Sequence, residues 1–147
     1  MPDNLNNKLV IAISSRALFD LEEENQIFEK DGLDAYYKYQ LENEDKSLKK
    51  GTGYRLVENI LKINSFFSSD ERQVEVIILS KNNAATSLRI TNAINDLKLD
   101  IIRSAWTSGT NISNYLKAFK VDLFLSADDN DVLNAIENGV AAAKILP

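Results

Sequence analysis

The chain contains neither cysteine nor histidine. Without cysteine there are no disulfides and no thiol chemistry, which is compatible with a reducing cytosol, so a cytoplasmic location is expected. Without histidine there is no Ser-His-Asp triad, no imidazole general base and no His-ligated zinc. A run of about 18 apolar residues is also missing, so no membrane span is expected. Residues 1–8 are polar and lack the apolar stretch of a signal peptide. Basic residues are in the minority, with 17 Lys and Arg against 22 Asp and Glu for a net charge of −5. An acidic chain without a clustered basic face is not built to bind nucleic acid. No low-complexity tract, internal repeat or linker breaks the sequence. What remains for chemistry is carboxylates, lysines, hydroxyls and a bound hard metal.

What is present is a globular pattern. Apolar residues make up 44% of 147, enough for one domain, residues 1–147, with a proper core. Short apolar runs at residues 9–13, 74–79, 101–106 and 121–125 fit strands buried on both faces. A last short strand is expected at 140–146. Between them lie helical spacings. Positions 54, 57, 60 and 61 mark one helix face, and Ile90, Ala93, Ile94 and Leu97 a second, with Asn82 or Asn83 as its cap. Ile112, Tyr115, Leu116 and Phe119 mark a third. Val132, Leu133 and Ile136 mark a fourth, capped by Asp128 or Asp129 and stopped by Gly139. Residues 20–50 are strongly charged and read as two helices broken at Asp31-Gly32. Leu21, Ile27 and Phe28 give the first its apolar stripe; Leu33, Tyr36, Tyr37, Gln40 and Leu41 give the second. Residues 64–73 read as a polar loop. Alternating strands and helices argue a three-layer α/β domain with a mostly parallel sheet.

Four strands end in polar residues: Ser14-Ser15-Arg16, Ser80-Lys81-Asn82-Asn83, Thr107-Ser108-Gly109 and Ser126-Ala127-Asp128-Asp129. In open α/β sheets ligands bind just beyond these carboxyl ends. Right-handed crossovers put Ser14, Ser80, Thr107 and Ser126 along one edge. Hydroxyls and amides dominate there, and carboxylates occur at one end only. Gly51-Thr52-Gly53 is too short for a P-loop and lacks the Lys-Ser or Lys-Thr that follows.

Several long strings resemble a known family. Residues 11–24, Ile-Ala-Ile-Ser-Ser-Arg-Ala-Leu-Phe-Asp-Leu-Glu-Glu-Glu, are similar to the opening of type I cytosolic 5′-nucleotidases. So are Tyr-Gln-Leu-Glu-Asn-Glu at 39–44, Ile-Thr-Asn-Ala-Ile-Asn at 90–95, Tyr-Leu-Lys-Ala-Phe-Lys-Val-Asp-Leu-Phe-Leu-Ser-Ala at 115–127, and Gly-Val-Ala-Ala-Ala at 139–143. The resemblance covers nearly the whole chain. It implies a haloacid dehalogenase-like core with a small helical cap insertion at about residues 20–50. It also implies membership of enzymes that dephosphorylate nucleoside monophosphates, AMP and IMP among them, with magnesium and an aspartyl-phosphate intermediate. The chain resembles the N-terminal half of such proteins. The Asp-x-Asp nucleophile motif belongs to the other half, so no catalytic residue carries over.

Within that superfamily pattern, Ser14-Ser15-Arg16-Ala17 stands where the first strand would carry two aspartates. Ser80 matches the second motif, Lys117 or Lys120 the third, and 126–131 the fourth. Phosphoryl transfer of this kind needs a carboxylate nucleophile, a second carboxylate as acid/base, and carboxylates around magnesium. Ser14 has no base to activate it, and a guanidinium at 16 stays protonated and repels the metal. The chain alone is therefore expected to be inactive. The expected phosphate-binding set is Ser14, Arg16, Ser80 and Lys117, with Arg16 forking onto an anion without metal. The alternative pairs Arg16 with Asp128, Asp129 or Asp131. Those three aspartates are the candidates for a metal, and helix capping is their other reading. Lys117 and Lys120 also read as solvated lysines near a helix C-terminus. Tyr36, Tyr37 and Tyr39 read either as a base-stacking group or as a packing stripe. The run Glu22-Glu23-Glu24 reads as a solvated first turn. The expected partners are a nucleoside monophosphate or phosphate, and a catalytic C-terminal half or a second copy. A stand-alone module that binds phosphate or nucleotide, or that oligomerises, is the alternative.

Overall fold

The computed structural model describes residues 5–84 and 86–147. The polar stretch at 1–4 lies outside them. Strands and helices follow in the order β1 (Leu9–Ile13), α1 (Ser15–Leu18), β2 (Phe19–Asp20), α2 (Glu22–Asp31), α3 (Leu33–Glu42), β3 (Lys49–Lys50), α4 (Tyr54–Leu61), β4 (Val74–Ser80), α5 (Leu88–Asp96), β5 (Arg103–Trp106), α6 (Ser113–Ala118), β6 (Leu123–Ser126), α7 (Asp129–Glu137) and β7 (Ala141–Lys144).

Five strands form one parallel sheet in the order β5-β4-β1-β6-β7. Alternate side chains divide its core. Ile11, Ile13, Val74, Val76 and Ile78 face one way, against Val57 and Leu61 of α4 and Ile90 and Ile94 of α5. Val10, Ala12, Ile77, Leu79 and Phe124 face the other way, against Leu116 of α6 and Ala135 of α7. β1 from Val10 and β4 throughout are buried on both faces, which is why they read as apolar runs, broken in β4 by the buried Glu75. The result is the expected three-layer α/β fold, consistent with a haloacid dehalogenase-like core. Among the described residues, no helix is long and apolar enough to cross a membrane.

The chain leaves β1 toward β4 on one side and returns to β6 on the other. That reversal is the topological switch point, where the loops diverge and a crevice opens.

Residues 21–48 are inserted between β2 and β3, which pair antiparallel with Phe19 opposite Lys50 and Asp20 opposite Lys49. The returning chain runs close beneath. Gly51 and Gly53 donate to the Leu18 and Ala17 carbonyls, both at 2.9 Å. A Cβ at Gly53 would sit 2.6 Å from the Ala17 carbonyl oxygen.

Three expectations need correction. Helix α5 begins at Leu88, well after Asn82 and Asn83. Asn83 instead closes a turn, its side chain accepting from the Thr86 N–H at 2.9 Å. Residues 64–73 are not a plain loop but carry two 3-10 turns, Lys62–Phe66 and Ser69–Glu71. Buried Asn64 ties them to β4, accepting from the Gln73 and Val74 N–H groups at 2.9 and 3.0 Å and donating to the Val74 carbonyl at 2.9 Å. In the inserted helices Leu33, Leu41 and Phe28 are about half exposed. The inward positions there are Glu24, Tyr36 and Gln40.

Candidate ligand cavity at the strand ends

A cavity of about 500 Å³ lies over the carboxyl ends of β1, β4 and β6. Its floor includes Ser14, Ser15, Ser80 and Ser126, and α2 and α3 supply a wall of Phe28, Tyr36 and Tyr37. The strand ends thus meet at one edge, with inserted residues beside them. Thr107 is buried alongside, its N–H on the Ser80 carbonyl at 2.9 Å, and Ser108 and Gly109 reach the cavity.

The floor hydroxyls are tied to backbone. Ser14 Oγ accepts from the Ala17 N–H at 3.3 Å, capping α1, and from the Ala127 N–H at 3.4 Å across the switch point. Ser126 Oγ accepts from the Asp128 N–H at 3.1 Å. Ser80 Oγ accepts from the Asn82 N–H at 3.3 Å and lies 3.1 Å from Ser15 Oγ. At Ser14 and Ser126 the oxygen accepts, which leaves the hydroxyl hydrogen for a ligand oxygen, whereas between Ser15 and Ser80 one hydroxyl donates to the other.

The sequence-derived candidates separate. Ser14, Arg16 and Ser80 line this cavity. Lys117 does not; it sits in the last turn of α6, and α6 ends near the amino edge of the sheet, where Lys120 donates to Asn6. Arg16 neither stands free nor pairs with the aspartates. It donates to Glu22 from Nε at 2.9 Å and Nη2 at 3.4 Å. Asp128 caps α7, accepting from the Asp131 N–H at 3.0 Å. Asp129 pairs with Lys144 at 2.9 Å and Asp131 with Lys81 at 2.5 Å. Burial pushes the Asp131 carboxyl above its ordinary range, against the opposing pull of Lys81.

Sequence reasoning missed the polar chain behind the wall. Arg89, 5% exposed, donates to Glu24 Oε1 at 2.5 Å, Gln40 Oε1 at 3.3 Å and the Lys46 carbonyl at 2.9 Å. Gln40 donates to the Tyr36 hydroxyl at 3.1 Å, and Tyr36 donates to Asn82 Oδ1 at 2.6 Å. Glu24 is therefore a buried partner, 4% exposed, and not part of a solvated turn. Tyr36 packs edge-on to Phe28 with centroids 6.0 Å apart, and Tyr36 and Tyr37 line the cavity while Tyr39 does not. The available signal was polar residues on inward stripes: Gln40 one turn from Tyr36, Arg89 one turn from Ala93.

Residues 1–147 match the family model for 5′-nucleotidases throughout. The chain belongs to the 5′-nucleotidase family. Among curated relatives, cytosolic 5′-nucleotidase 1B of Homo sapiens is 32% identical over 146 residues, 97% of this chain. The chain spans 24% of that relative's length. The resemblance read from the sequence strings is thus correct at the level of the family.

The magnesium that the sequence resemblance implies finds no cage among the described residues. Asp128, Asp129 and Asp131 are divided between a helix cap and two lysines. Among the described residues no group of three metal-ligating side chains converges.

Proposed function

We propose that this chain acts as the non-catalytic N-terminal domain of a cytosolic 5′-nucleotidase. Its strand-end cavity holds a nucleoside monophosphate without hydrolysing it and serves a catalytic domain elsewhere. The observation that carries this reading is the end of β1. Ser14 there caps α1 and bridges to Ala127, while Arg16 is forked onto Glu22. A phosphoryl-transfer site needs carboxylates at this place, as nucleophile and as acid/base. What favours a ligand is the pairing of two surfaces across one cavity. Hydroxyl donors lie on its floor and aromatic rings on its wall, the combination a phosphorylated nucleoside requires.

The test has two parts. The isolated 147-residue protein is assayed for phosphate release from AMP and IMP with magnesium, and for AMP binding by calorimetry. The expectation is binding without turnover. Magnesium-dependent turnover abolished by Ser14→Ala would overturn the non-catalytic reading, and the absence of any binding would overturn the ligand reading.

A further inference from the structure

We propose that Lys81 is the anion-binding group of this cavity and that Asp131 is its built-in competitor, occupying the place a ligand phosphate takes. The inference rests on reading the cavity as a nucleoside monophosphate site.

Among the described residues two cations line the cavity, Arg16 and Lys81. Two donors of the Arg16 guanidinium are engaged by Glu22, so that planar fork already grips a carboxylate from outside the cavity lining. Lys81 differs. Its side chain is 43% exposed, and among the described residues its ammonium pairs with Asp131, at 2.5 Å from Oδ1. A lysine head is a compact charge on a flexible stem with three rotatable donors, so it can exchange one anion for another. Its backbone is anchored meanwhile, the Lys81 carbonyl accepting from the Gly109 N–H at 2.8 Å.

Asp131 stands in the first turn of α7 and is mostly buried. Its side chain is 11% exposed and Asp128 stands beside it, its oxygen on the Asp131 N–H. Burial and the neighbouring carboxylate both disfavour its charge, and Lys81 is the group that offsets them. A phosphate oxygen at the same ammonium replaces one anionic acceptor by another, and gains the hydroxyls of Ser14 and Ser126 on the floor. Phe28 and Tyr37 line the same cavity, where a base can pack against them. Affinity is thereby held down by an internal carboxylate, and an unphosphorylated nucleoside has nothing with which to displace it.

The test is calorimetry on the full chain with AMP, inorganic phosphate and adenosine, using wild type, Asp131→Asn, Lys81→Met and Lys81→Arg. Circular dichroism confirms that each variant is folded, and Lys81→Arg keeps the charge should Lys81→Met fail to fold. Asp131→Asn should tighten AMP about tenfold, the equivalent of about 1.4 kcal/mol, and leave adenosine unchanged. Lys81→Met should weaken AMP by a similar factor, and Lys81→Arg should retain it. Tight AMP binding indifferent to both positions overturns the proposal while sparing the cavity reading. Weaker AMP binding in Asp131→Asn makes Asp131 a ligand contact and likewise overturns it. No heat from any of the three probes in any variant sinks the cavity reading itself.

Discussion

Replacing Arg89 by methionine should detach the two inserted helices from the core without unfolding the sheet. Arg89 is the cation facing Glu24 in the buried pair, and both side chains are 6% exposed. Methionine keeps much of the stem volume and deletes the charge. Glu24 is then a buried carboxylate without its partner, and breaking such a pair from one side costs about 3–5 kcal/mol. The Gln40 and Lys46 oxygens lose a donor as well. The loss falls locally because the insertion has little else to hold it. Leu21, Tyr36 and Leu48 are its buried apolar anchors, whereas Phe28 and Leu33 are each 47% exposed. At about 1.4 kcal/mol per tenfold, the opening constant of α2 and α3 should rise by about two to three and a half orders of magnitude. Native-state hydrogen exchange reads this directly. Amides of α2 and α3 should accelerate by that factor, while those of β1 and β4 change little. Adding Glu24→Leu should recover most of the loss, since the unpaired charge is then gone. Unchanged exchange in α2 and α3, or acceleration spread equally over the sheet, refutes the idea that this pair fastens the insertion.

Other outcomes follow from single residues. Ser14→Ala removes the cap of α1 and the bridge to Ala127, and should lower stability by about 1 kcal/mol in urea titration. Gly53→Ala drives a Cβ to 2.6 Å from a backbone oxygen, and should lower it by about 1–3 kcal/mol. Tyr36 is a buried phenol whose pKa is raised above 10.0, mainly by desolvation. The unfolded chain therefore releases this proton first. The stabilisation is fully present below about pH 10 and is lost as pH rises through the folded-state pKa. Tyr36→Phe should remove that part of the alkaline slope in stability against pH.

The sheet was largely legible because its strands obey one simple rule. A strand covered on both faces must be apolar throughout, and the runs at 9–13 and 74–79 come close to satisfying that rule along their whole length. The polar strand ends were legible too, since crossover handedness puts them on one edge. The partners of the charged groups were not. In the sequence Arg16 reads either as a fork for an anion or as a partner of the aspartates at the end of β6, yet the short α1 turn and β2 fold Glu22 back onto it. Glu24 and Arg89 are 65 residues apart and meet because the insertion folds over α5. Nothing local distinguishes such an acid from its solvated neighbours in a run of three. Lys81 was visible as a strand-end residue, and its importance depends on Asp131, fifty positions on, reaching it from α7. Asn83 carried the chemistry of a cap, but that chemistry closes a turn as readily as it opens a helix.

The insertion departs from the core at Asp20 and returns at Lys49, two residues that face each other across a two-stranded ribbon. Seen from the sheet, the whole excursion closes a gap of one strand spacing, about 4.8 Å. Whatever bridges that gap is interchangeable in principle, because lengthening such a loop twofold adds only about 0.6 kcal/mol of closure entropy. The floor of the cavity is bound to the architecture of the sheet, while its aromatic wall hangs on a replaceable cassette. Grafting a different helical pair between Asp20 and Lys49 is thus a route by which descendants, or a designer, can retune what the cavity accepts and leave the scaffold untouched.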